Sequence, residues 1–82
     1  MTIQQEIRTW LNRRPSQDIT HMIVVCDDWD YEDYPVYVGC REKVREKFEE
    51  YNGKNMQRVM EVYSYGHDLE SQLNEGRAFH LD

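Results

Sequence analysis

Met22-Ile23-Val24-Val25-Cys26 is the longest uninterrupted apolar run in the chain, and it constrains the fold more than any other stretch. Together with Ile19-Thr20-His21 before it, the segment is dense in β-branched residues and reads as a strand. Successive side chains of a strand point to opposite faces. Apolar groups on both faces need cover above and below, so the pattern predicts a central strand, or one covered on both sides. The run is far too short for a membrane span, which takes roughly 20 apolar residues.

Helical and strand signals flank this run in a simple order. Thr2 followed by Gln5 makes a capping box. Ile3, Ile7, Trp10 and Leu11 then form one apolar stripe, and Pro15 predicts a helix end near Arg13. After the central strand, Val36-Tyr37-Val38 reads as a second strand with Pro35 at its first position, and the two form a hairpin. Its loop, about seven to nine residues, is long for a hairpin and invites a functional explanation.

Arg41 to Tyr51 is the clearest helix, with Val44, Phe48 and Tyr51 on one face and Asn52-Gly53 as a left-handed stop. Gln57 to Tyr65 alternates as a third strand. Met60 and Val62 fall on one face, Val59, Tyr63 and Tyr65 on the other. Asp68 caps a short last helix bearing Leu69 and Leu73, which Gly76 interrupts before a frayed tail with Phe79 and His80. The order α-β-β-α-β-α implies an α+β fold, a three-stranded and largely antiparallel sheet packed against helices.

At 82 residues, the chain can bury one core but not two, which makes 1–82 a single domain. The formal net charge of −6 repels nucleic-acid phosphates and anionic membranes, so direct nucleic-acid binding and membrane association are not expected. Arg8, Arg13 and Arg14 cluster locally, as do the bases from Arg41 to Lys47, but Glu42 and Glu46 interleave the second group, which reads as a solvated mixed-charge face. Six tyrosines and two tryptophans mean that much of the core is built from rings whose polar tips must find partners. Trp10, Tyr51, Tyr63 and Tyr65 are expected mainly as core, with an aromatic patch as the alternative.

The chain opens on polar, helix-forming sequence with no secretory pattern, so a cytoplasmic location with reduced Cys26 and Cys40 is expected. His21, His67 and His80 are scattered and there is no CxxC pair, which leaves a zinc site without support. Cys26, between apolar Val25 and anionic Asp27, is expected to be a buried structural thiol. His21 reads as a hydrogen-bonded sheet or core histidine, and His67 and His80 as exposed. The glycines stand singly at element ends, so no phosphate-cradling loop exists.

The functional signal sits between the first two strands. Asp27, Asp28, Asp30, Glu32 and Asp33 alternate with Trp29, Tyr31 and Tyr34. Carboxylates steer a basic partner and aromatics supply rigid contact area. Asp28, Asp30 and Glu32 also match the first, third and fifth ligands of a calcium loop. The match then breaks: Asp33 stands where glycine is needed, and Gly39 where a bidentate glutamate is. No residue constellation specifies a reaction, because acid-base work by these carboxylates would need a desolvated pocket that the sequence does not supply.

The runs His21-Met22-Ile23-Val24-Val25-Cys26-Asp27, Asp30 through Val38 and Asn55 through Tyr63 resemble short uncharacterised proteins encoded by bacteriophages and bacterial mobile elements. The resemblance covers most of the chain and implies an accessory role in a bacterial or phage setting, with no activity, cofactor or catalytic residue attached. The expectation is therefore a small acidic, non-enzymatic accessory or regulatory protein without a cofactor, whose loop 27–35, through residues 27–34, binds a protein with a basic surface. The alternative is a small metal-dependent enzyme or metal-binding domain using Asp28, Asp30, Glu32 and His21. A homo-oligomer paired through the Val36-Tyr37-Val38 edge or the Gln57–Tyr65 edge is a further option.

Overall fold

β1 (Ile19–Asp27) lies at the centre of a three-stranded antiparallel sheet, between β2 (Glu32–Gly39) and β3 (Gln57–Ser64). Every side chain from His21 to Cys26 is buried. The computed structural model describes residues 4–54, 56–75 and 77–81; Thr2 and Ile3 of the expected capping box and stripe, and the expected helix breaker Gly76, fall outside them. The element order is the one expected, α1 (Gln4–Asn12), β1, β2, α2 (Val44–Tyr51), β3, α3 (Leu69–Leu73).

The two faces of β1 are covered by different helices, which is why its apolar run has no polar alternation. On one face Met22 and Val24 pack with Tyr63, with Ile7, Trp10 and Leu11 of α1, with Leu73 of α3 and with Ala78. On the other, Ile23 and Val25 join Val38, Val59 and Val62 beneath Val44, Phe48 and Tyr51 of α2. Tyr51 is therefore across the sheet from Trp10, Tyr63 and Tyr65, and the four rings form no common patch. α2 begins later than expected from Arg41 because Glu42 turns back, its Oε1 accepting from the Gly39 N–H at 3.0 Å. It stops as expected: Gly53 takes a φ of 78°, open to glycine without strain.

β3 departs from strict alternation. Val24 pairs with Glu61 but Val25 pairs with Val59, so Met60 is an extra residue. A bulge of this kind moves everything beyond it to the opposite face. Val59 consequently shares a face with Val62, and Met60 packs toward Tyr63, the reverse of the alternation read from sequence.

The tail is not frayed. The Val62 N–H donates to the Ala78 carbonyl at 2.8 Å and the His80 N–H to the Val62 carbonyl at 3.0 Å, so 78–80 forms a parallel bridge along β3. His80 is half-buried rather than exposed, its Nε2 2.9 Å from Glu75. Elsewhere on this edge the Gln57 carbonyl accepts from the Gly53 N–H, the Val59 N–H donates to Asn52 Oδ1, and Ser64 is bonded at both N–H and carbonyl by the buried Gln72 amide. This sealing removes Gln57–Tyr65 as a pairing edge. β2 remains the other edge, and two features blunt it: Pro35, which has no N–H, and Gly39, whose N–H is taken by Glu42.

The tips of Tyr34, Tyr37, Tyr63 and Tyr65 find partners within the fold. Tyr37 and Tyr65 hydroxyls donate to the carbonyls of Trp10 and Leu11, at 2.6 and 2.9 Å. Those carbonyls lie in the last turn of α1 and also accept the N–H groups of Arg13 and Arg14, at 3.1 and 3.4 Å. Burial raises the phenol of Tyr37, pushes Tyr65 up to about 12, and raises Tyr63 with help from the Glu61 carboxylate. Raised phenols favour the folded state only while neutral, so their contribution is complete below about pH 10 and is lost as pH climbs through the folded values. Denaturant midpoints should hold to about pH 10 and fall toward pH 12, and Tyr65→Phe should flatten that fall. Midpoints that stay level across this window would show that the buried phenols contribute nothing.

Candidate functional site

The acidic-aromatic segment is a tight hairpin tip, not the long loop expected. Asp27 pairs with Glu32, which leaves only 28–31 outside the ladder. Glu32 to Pro35 belong to β2, and Pro35 lies inside the strand opposite Val24. An edge strand tolerates this because its outer side has no ladder bond to lose. In sequence the polarity of Glu32 and Asp33 and the ring of Pro35 are loop signals, whereas in the fold pairing with the apolar β1 decides the backbone.

The turn is held by its own side chains. Asp27 Oδ1 accepts from the Trp29 N–H at 2.8 Å, a local turn that aspartate favours. The Asp28 N–H donates to the Met56 carbonyl at 2.7 Å, and Asp28 Oδ1 lies 3.3 Å from Arg58 Nε. Tyr31 adopts a φ of 57°, a left-handed conformation that costs a bulky residue on the order of 1 kcal/mol. The result is a tip in which Trp29 is 73% and Tyr31 82% exposed, with Met56 beside it 55% exposed.

The eight candidate residues separate into two groups. Trp29, Asp30, Tyr31 and Glu32 are exposed, and among the described residues no ion pair or side-chain hydrogen bond engages Asp30 or Glu32. Asp27, Asp28, Asp33 and Tyr34 have structural parts to play. Tyr34 packs on the valine cluster beneath α2 and its hydroxyl accepts from Gln57 Nε2; burial, then the charges of Tyr51 and Asp27, raises its phenol. Asp33 lies across from Cys26, which in turn pairs with Arg58. Burial and then Asp33 push the Cys26 thiol up against the opposing pull of Arg58, the condition of a structural rather than a nucleophilic cysteine. Cys40 is exposed, and both thiols are free.

The cation reading loses its fourth ligand. His21 sits at the far end of β1, opposite Val38 and Ser64, about 20 Å from the tip at the usual rise per strand residue. It is buried, its Nδ1 2.9 Å from Thr20 Oγ1. No group of three or more His, Cys, Asp or Glu side chains is placed to hold a metal among the described residues.

Three of the seven clustered bases, Arg8, Arg14 and Lys47, are engaged in internal pairing. Arg8 meets Glu70 at 2.8 Å, Arg14 donates to the Ile19 and Gln17 carbonyls and lies 4.5 Å over the Tyr65 ring, and Lys47 pairs with Glu42 at 3.0 Å. The Gly39 N–H and then Lys47 lower the Glu42 carboxyl, and Glu42 raises Lys47. A surface depression of about 440 Å³ lined by Asp18, Gly39, Cys40, Arg41 and Glu42 lies at the start of α2, at the opposite end of β2 from the tip. No described helix is long and apolar enough to cross a membrane.

Met56 and Arg58 carry no site signal in the sequence. Only the Asp27 to Gln57 pairing brings them beside the tip, and no local motif encodes a pairing across thirty positions of chain. No family model, curated protein or solved structure matches the chain.

Proposed function

We propose that this protein is a small non-enzymatic accessory or regulatory protein that binds another protein through the β1–β2 hairpin tip. The observation that supports it is the exposure of two large rings, Trp29 and Tyr31, on a hydrogen-bonded turn among carboxylates. A chain that buries its other tryptophan and seals one sheet edge leaves this aromatic surface in water. Aromatic anchors of this type dominate binding energy, and surrounding acids select a partner with a basic surface. The left-handed Tyr31 fits the same reading, since glycine or asparagine would occupy that position with less strain. The reading places the protein in the cytoplasm, which suits two free thiols.

Affinity capture from the native host tests it. Trp29→Ala with Tyr31→Ala should reduce retained partner by about tenfold or more, and Asp30→Asn with Glu32→Gln should weaken capture mainly at low salt. Tyr31→Gly should weaken capture without lowering the melting temperature, because it relieves the backbone. These tip residues support no core contact, so a folded variant set with undiminished capture would overturn the assignment.

A further inference from the structure

We infer that the partner's contact residue is arginine, presented on an exposed segment, and that lysine is a poor substitute. This rests on the docking role proposed for the tip and narrows its chemistry. The tip repeats one unit twice along the chain: an exposed ring followed by an exposed carboxylate, Trp29 with Asp30 and Tyr31 with Glu32. The other nearby acids are engaged, Asp27 by the Trp29 N–H and Asp28 by Arg58. What remains open is therefore ring faces and carboxylates together, without a cation.

A guanidinium matches both halves of that unit. It is planar and weakly hydrated, so it stacks on an aromatic face, and its fork of donors pairs with a carboxylate in the same approach. A lysine ammonium is a compact and strongly hydrated charge, which gains from the carboxylates but much less from the rings. The fold already uses the arginine version internally: Arg14 lies over the Tyr65 ring while its guanidinium nitrogens reach the Ile19 and Gln17 carbonyls. Met56 extends the apolar side of the surface, where an arginine stem can lie.

Two capped peptides of alternating arginine and glycine, or lysine and glycine, with identical length and charge, provide the test on the full chain. Binding is followed by the fluorescence of Trp29, with Trp10 buried as a constant background. The arginine peptide should bind about fivefold more tightly than the lysine peptide, and Trp29→Leu with Tyr31→Leu, read by a labelled peptide, should bring the ratio to about one. Equal affinities that both fall with Asp30→Asn and Glu32→Gln would overturn the arginine assignment while leaving the acidic tip as a docking site. Absence of saturable binding by either peptide would also overturn it, and partner capture by the tip variants would then decide the broader reading separately.

Discussion

Deleting Val62 should cost several kcal/mol of stability, whereas deleting Met60, two positions earlier in the same strand, should cost only about 1 to 2 kcal/mol. The difference follows from the bulge. Glu61, Val62, Tyr63 and Ser64 pair with Val24, Ile23, Met22 and His21, and Val59 pairs with Val25. Removing Met60 makes Val59 and Glu61 consecutive and turns the interrupted ladder into a regular one, with each flanking residue keeping its partner and its face. The loss is the packing of one half-buried methionine, about 1 to 2 kcal/mol. Removing Val62 also closes the bulge, and Val59, Tyr63 and Ser64 keep their partners, but it moves Met60 opposite Val24 and Glu61 opposite Ile23, which drives a carboxylate into the buried place of Val62 in the valine cluster. An unpaired carboxylate in that cluster, with the Val62 side chain lost, costs several kcal/mol, a large share of the roughly 5 to 15 kcal/mol that holds a domain together. Circular dichroism through a urea series distinguishes the two deletions, and similar losses from both would show that Met60 is not a removable bulge.

The same bulge marks the limit of what local sequence encodes. The double-sided burial of β1 is legible because a short apolar run without alternation, dense in β-branched residues, matches a strand covered on both faces. The α2 face and its glycine stop are legible for the same reason, as local patterns with local causes. The faces of β3 are not, since alternation counts residues and a bulge inserts one without any change in composition. At the candidate site, exposure of Trp29 and Tyr31 agrees with their acidic neighbours, but Tyr34 has the same neighbours and packs against valines. What separates them is the ladder: Tyr34 pairs with Val25, on the face that α2 covers, and the other two lie beyond the closing pair Asp27 and Glu32. The tail looks frayed in sequence for lack of a partner nearby; its bonds go to Val62, and Ala78 is buried only by that docking.

Gln72→Leu should destabilise the protein by about 3 kcal/mol although it exchanges a polar residue for an apolar one in the core. Gln72 is 1% exposed. Its Oε1 accepts from the Ser64 N–H and its Nε2 donates to the Ser64 carbonyl, both at 2.8 Å, with a further bond to the Asp68 carbonyl at 3.2 Å. The amide thus substitutes for a neighbouring strand at the end of β3, and a leucine would leave a buried donor and acceptor unpaired. α3 is five residues long, too short to persist without such a tether. Gln72→Glu gives the diagnostic contrast. An ionised carboxylate could still accept from the Ser64 N–H, but its second oxygen would face the Ser64 carbonyl; a protonated one restores the donor. Folding would therefore raise that carboxyl above its ordinary value of about 4.3. The sign follows: the variant is closest to the parent in acid, and its deficit grows as pH rises through the raised folded value. Urea midpoints of parent and variants at acid and neutral pH measure this directly, and a pH-independent deficit for Gln72→Glu would mean that the two bonds to Ser64 do not hold β3 and α3 together.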